Sequence, residues 1–126
     1  MVIHSYFSCT VDYLVDKAKQ NPYILYIQRE PMPSIVISAN VKGKLETKHQ
    51  VTELEVRQCF ENKCGFFLID DREDHRRNPP TLWFIAETNK KRPIKVVFQC
   101  LDGNFHLLTA YCPNADEVEI YENNGK

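Results

Sequence analysis

The sequence predicts an α+β fold: an antiparallel sheet meander with helices packed on one of its faces. Three observations carry that prediction. Apolar residues recur at helical spacing over 52–62, behind a Thr-x-x-Glu start. From Phe66 onward the pattern changes to runs rich in β-formers. Between two of those runs stands Asp102-Gly103, the strongest short hairpin signal. At 126 residues the chain is one domain in size, with enough length to bury a modest core. It divides into an N-terminal extension, 1–33, and a core, 34–122.

In chain order, Thr10 is placed to cap a helix whose apolar positions are Val11, Leu14, Val15 and Ala18, and Asn21-Pro22 ends it. "YILYI" reads as a short strand, "REPMP" as a linker and "SIVIS" as a second strand. Asn40 to His49 is helical in pattern, although Gly43 weakens it by about 1 kcal/mol relative to alanine. Thr52 and Glu55 form a capping box, and Val56, Cys59 and Phe60 make the apolar stripe behind it.

Strands follow at 66–70, 81–87, 93–101 and 104–111. A type I′ turn at Asp102-Gly103 sets Cys100 opposite Phe105 and Phe98 opposite Leu107. Continued without interruption, that register sets Val96 against Thr109 and Ile94 against Tyr111. One face is then dominantly apolar. The other carries Lys95, Val97, Gln99, His106, Leu108 and Ala110. Trp83 alternates with Leu82 and Phe84 and falls on the face opposite theirs, as core packing or as a base-stacking platform. Pro113, Asp116 and Glu117 open a closing helix with Val118 and Tyr121 on one side.

Composition narrows the function. Hydrophobic content of 43% and charged content of 26% argue against disorder. A net charge of −1 gives no electrostatic case for nucleic acid or for an anionic membrane. There is no apolar run long enough to span a bilayer and no basic start leading into an apolar stretch, so cytoplasmic residence is the expectation. The five cysteines are odd in number and form no CxxC pair, so they read as reduced thiols, Cys59 and Cys100 among apolar neighbours. "DDREDHRRNPP", residues 70–80, reads as a surface connection ordered in part by its own ion pairs, presenting Asp74 and His75 at the sheet rim.

The runs "KHQVTELEVRQCFEN", "FFLIDDREDH", "TLWFIAETNKKRPIKVVF" and "HLLTAYCPNADEVEIY", taken in order, resemble the small BrnT-like toxins, a branch of the RelE/ParE-type fold. The likeness spans roughly residues 35 to 122. It is closest to a stand-alone subgroup with "EDH", "PPTLWF" and "KVVF", whose members often bear the name ADP-ribosyl-(dinitrogen reductase) hydrolase. Two positions depart from the family pattern. Tyr111 stands where the family has an arginine, and Gln50 where it has a glycine.

The resemblance implies a RelE/BrnT-like fold and RNA cleavage with the 2′-hydroxyl as nucleophile, needing no metal and no cofactor. The protein must then supply a base, an acid and cations for the developing phosphate charge. Candidate catalytic residues are Lys48, His49, Glu55, Lys95 and His106, with Lys95 on the phosphate, a histidine moving protons and Glu55 orienting one of them. Candidate binding residues are Arg92, Asp74, His75 and Tyr111. The expected partners are a cognate antitoxin-like protein and RNA or the ribosome, with neither membrane nor DNA. Two other readings stand beside this one. One is a non-catalytic protein-binding module. The other is the hydrolase that the subgroup's name denotes, whose two-magnesium chemistry needs several converging carboxylates. Here the one acidic cluster, Asp70 to Asp74, is interleaved with arginines.

Overall fold

The computed structural model describes residues 33–70 and 78–126. The helix expected after Thr10, the strand at "YILYI", and Asp74 and His75 lie outside the described residues.

The fold is α+β. Strand β1 is Ile35–Val36; helix α1 is Ala39–Lys44, continued by a π-helical turn, Leu45–His49; helix α2 is Glu53–Asn62. Then come β2 (Leu68–Ile69), β3 (Leu82–Glu87), β4 (Pro93–Leu101), β5 (Asn104–Tyr111) and helix α3 (Ala115–Asn124). The five strands lie in the order β1-β5-β4-β3-β2. The helix expected over 40–49 is thus split. Ser38 caps its start through the Val41 amide, and the chain leaves it through Gln50 in the left-handed region.

Two features of the expected sheet need correction. It is not purely antiparallel, because β1 pairs with β5 in parallel, Ile35 beside Phe105 and Val36 beside His106. Nor do the helices all pack on one face. The apolar stripe of α2 meets the face formed by Phe84, Phe98 and Phe105. Helix α3 meets the other face, where the Tyr121 ring stands 5.8 Å from that of Trp83.

The first face is an aromatic core. Phe60 and Phe67 pack among Phe84, Phe98 and Phe105, with most ring pairs edge-to-face at 4.9–5.7 Å. Each such pair contributes roughly 0.5–1.5 kcal/mol beyond its buried area. The second face buries Leu68 and Trp83 beneath Tyr121. Close approach is demanded there: a Cβ at Gly65 would fall 2.5 Å from both the Tyr121 hydroxyl and the Gly125 carbonyl. Tyr121 in turn donates to the Phe66 carbonyl at 2.9 Å. Trp83 is therefore a core side chain, 7% exposed and covered, and offers no stacking platform.

The hairpin obeys its turn but not its whole expected register. Asp102 and Gly103 both have positive φ, 53° and 78°, as a type I′ turn requires. Cys100 faces Phe105 and Phe98 faces Leu107. The next pair is Val97 with Thr109, so Leu108 is an extra residue in β5. This β-bulge turns every later residue of β5 over. Ala110 moves to the core face opposite Val96, and Tyr111 comes to face Lys95 instead of Ile94.

Cys59, Cys64 and Cys112 are free thiols. Cys100 is disulfide-bonded, which corrects the reading of all five as reduced.

Candidate functional site

The bulge decides the chemistry of one corner of the sheet. By moving Tyr111 onto the Lys95 face it lets both side chains reach the first turn of α3. The Lys95 ammonium lies 2.7 Å from Glu117 Oε2, and the Tyr111 hydroxyl donates to the same oxygen at 2.7 Å. The other carboxylate oxygen, Oε1, accepts from the Asn114 amide in a capping box. Lys95 is 8% exposed and sits 4.5 Å above the Trp83 ring centroid and 5.6 Å from that of Tyr111. Its charge is enclosed by two π-faces and a carboxylate.

Glu117 accepts from three donors. Burial pushes its carboxyl up, but the hydrogen bonds from Lys95, the Asn114 backbone and Tyr111 outweigh burial and hold it below the usual carboxylate range. The Tyr111 phenol moves the other way: burial, then its hydrogen bond to Glu117, raise it.

A second cluster adjoins the first. Glu55 completes the α2 capping box, with Oε1 accepting from the Thr52 amide at 3.1 Å. It also binds the Arg92 guanidinium, 2.9 Å from Oε2. Burial raises the Glu55 carboxyl, and the Thr52 backbone amide and Arg92 together lower it by more. Arg92 reaches further: Nη1 donates to the Gln50 carbonyl at 2.9 Å and Nη2 contacts Cys112 Sγ at 3.4 Å. One guanidinium thus ties the exit of the π-turn, the start of α2 and the end of β5. His49 joins the two clusters, its ring 5.6 Å from Tyr111.

Of the expected residues, His49, Glu55, Arg92, Lys95 and Tyr111 gather at this corner. Glu55 holds Arg92, not a histidine or a lysine. Lys48 is exposed on the π-turn. His106 shares the Lys95 face but pairs with Gln99, four positions along β4. At about 3.3 Å per residue it is roughly 13 Å from Lys95, too far for both to act on one phosphate. Glu117 and Cys112 were not among the expected site residues. Glu117 read as a helix-start acid, and only the bulge brings Lys95 and Tyr111 to it.

Among the described residues, no group of three or more His, Cys, Asp or Glu side chains is placed to hold a metal, and no helix is long and apolar enough to cross a membrane. No known protein family, curated protein or solved structure matches the chain.

Proposed function

We propose that this chain is a toxin-type protein of the BrnT/RelE kind in a catalytically silent form, acting through contact with a protein partner and not through RNA cleavage. The observation that carries the reading is the convergence of Lys95 and Tyr111 on Glu117. Phosphate-charge stabilisation needs cations with N–H groups free to turn toward the substrate. Lys95 is committed to Glu117 and Arg92 to Glu55. Tyr111, where the family pattern has an arginine, is a neutral phenol whose proton is already engaged. To seat a phosphate, RNA would have to displace a carboxylate from each cation, with two like charges left facing one another. The near-neutral net charge points the same way, since RNA binding draws its affinity from excess Lys and Arg.

One observation favours the alternative, an active metal-independent ribonuclease. His49, Arg92, Lys95 and Tyr111 do stand together, as that chemistry requires. A cleavage assay separates the two readings. Purified protein is incubated with free RNA and with ribosome-bound messenger, at low and physiological salt. The silent reading expects no cleavage in either. Cleavage that Lys95→Ala lowers by about 10²-fold, the size expected for losing one electrostatic stabiliser, would replace it with the ribonuclease reading.

A further inference from the structure

The geometry points to a peptide-binding slot along the open edge of β3, built to receive an extended segment of a partner protein as an added antiparallel strand. This inference does not rest on the silent-toxin reading. It uses none of the cations at the corner and holds for an active or an inactive protein.

The slot begins where β2 leaves the sheet. β2 pairs with β3 only at Trp83 and Leu82. The same register, continued, would set Phe66 opposite Ile85. Instead the Phe66 amide donates to the Gly125 carbonyl at 2.6 Å, and its carbonyl accepts from Tyr121. The chain's own strand is thereby held off β3. Beside β3 lies a cavity of about 770 Å³, lined on one side by Ile85, Ala86 and Glu87 and on the other by Cys64 and by Val118 and Tyr121 of α3. That size lies within the range of ordinary ligand pockets, roughly 300–1,000 Å³.

The backbone facing this cavity specifies a strand. The Thr88 amide donates to Arg92 across the β3–β4 turn, so Thr88 points toward β4. By the alternation of an antiparallel ladder, Glu87 and Ile85 point away from β4 and into the slot. The Glu87 carbonyl is taken by the Asn62 side chain at 2.9 Å. Among the described residues, the Ile85 amide, the Ile85 carbonyl and the Glu87 amide are left as a donor–acceptor–donor row at strand spacing. An extended backbone matches that row, and this is how sheet edges recruit peptides.

The walls state what the peptide should carry. A residue opposite Ile85 projects to the α3 side, over Val118 and Tyr121, and should be apolar. The next, opposite Ala86, faces Asn62 and Cys64 and should be small and polar. The residue opposite Glu87 meets a carboxylate that has no ion pair among the described residues, Lys126 being bound to Glu122 at 2.8 Å, and should be basic. Lys91 borders the turn end of the cavity and calls for an acid there. Read along an antiparallel strand, the pattern is acid–base–small–apolar, as in Asp-Lys-Ser-Val.

The test is fluorescence anisotropy with the full chain and a labelled, end-capped peptide holding Asp-Lys-Ser-Val between short Ser-Thr flanks. Saturable binding is expected. N-methylation of the valine amide, which deletes the bond to the Ile85 carbonyl and alters no other group, should weaken it by about tenfold. Glu87→Lys should weaken it as well, and a peptide with Glu in place of Lys should recover binding to that variant. Absence of binding at millimolar peptide, or N-methylated and parent peptides of equal affinity, overturns the inference. So does a concentration-dependent dimer in sedimentation that Glu87→Lys dissolves, since the slot would then belong to a second copy.

Discussion

Glu117→Gln is the most informative single perturbation of this fold. It keeps the shape of the side chain and an oxygen for the Asn114 amide, but removes the charge. In the native protein one carboxylate oxygen serves Lys95 and Tyr111 at 2.7 Å each. Hydrogen bonds to charged groups contribute roughly 1.5–3 kcal/mol. The Lys95 and Glu117 side chains are only 10% and 17% exposed, so screening by water is limited. The amide can retain the Tyr111 bond at neutral strength, but Lys95 is left without a counter-charge above Trp83. Together these terms give an expected loss of about 2–3 kcal/mol. Urea unfolding is the assay, followed by the fluorescence of Trp83, the protein's one tryptophan, which packs against Lys95 itself. Lys95→Met should cost less, because it replaces the ammonium with an apolar stem under the same ring and leaves Glu117 bound by Tyr111 and Asn114. The double variant should then be more stable than the sum of the two single losses predicts, by at least about 1 kcal/mol of coupling. A Glu117→Gln midpoint indistinguishable from wild type, or additive losses in the cycle, would refute the account of this corner as one enclosed network.

Glu117 and Glu55 both have folded pKa values depressed below the ordinary 4.5, so their contribution is fully present above that value and is lost as pH falls through the folded values; acid titration should show stability declining below about pH 5, and less steeply in Glu117→Gln. Gly65→Ala should lower the melting temperature through a loss of roughly 1–3 kcal/mol, because its Cβ meets backbone and the Tyr121 hydroxyl at 2.5 Å, and Gly43→Ala, with nothing within 4 Å, should not. Alkylation at pH 8 followed by peptide mapping should label the exposed Cys64 and Cys112 and spare Cys59, whose burial, with Glu55 nearby, pushes its thiol up to about 12.

Much of this architecture is legible in the sequence because its signals are local. Thr52 and Glu55 announce the start of α2, Asp102-Gly103 announces the β4–β5 turn, and the apolar residues at Val56, Cys59 and Phe60 mark the buried stripe. Each depends on neighbours a few residues away, so the chain carries the information whatever its tertiary setting. The α+β class and the first four rungs of the hairpin, from Leu101–Asn104 to Phe98–Leu107, follow from those signals alone.

The tertiary structure decided the rest. Nothing local to Leu108 distinguishes it from any strand residue, and its bulge is set by what the two ends of β5 must pair with. That single insertion put Ala110 into the core, turned Tyr111 toward Lys95, and made Glu117 the hub of a network in place of a helix-start acid. Lys95 and His106 share a face in the sequence pattern, but the length of β4 between them is a distance that pattern alone does not weigh. The parallel docking of β1 and the placement of α3 over Trp83 are likewise non-local, because they depend on which apolar surface is left uncovered once the other elements have packed.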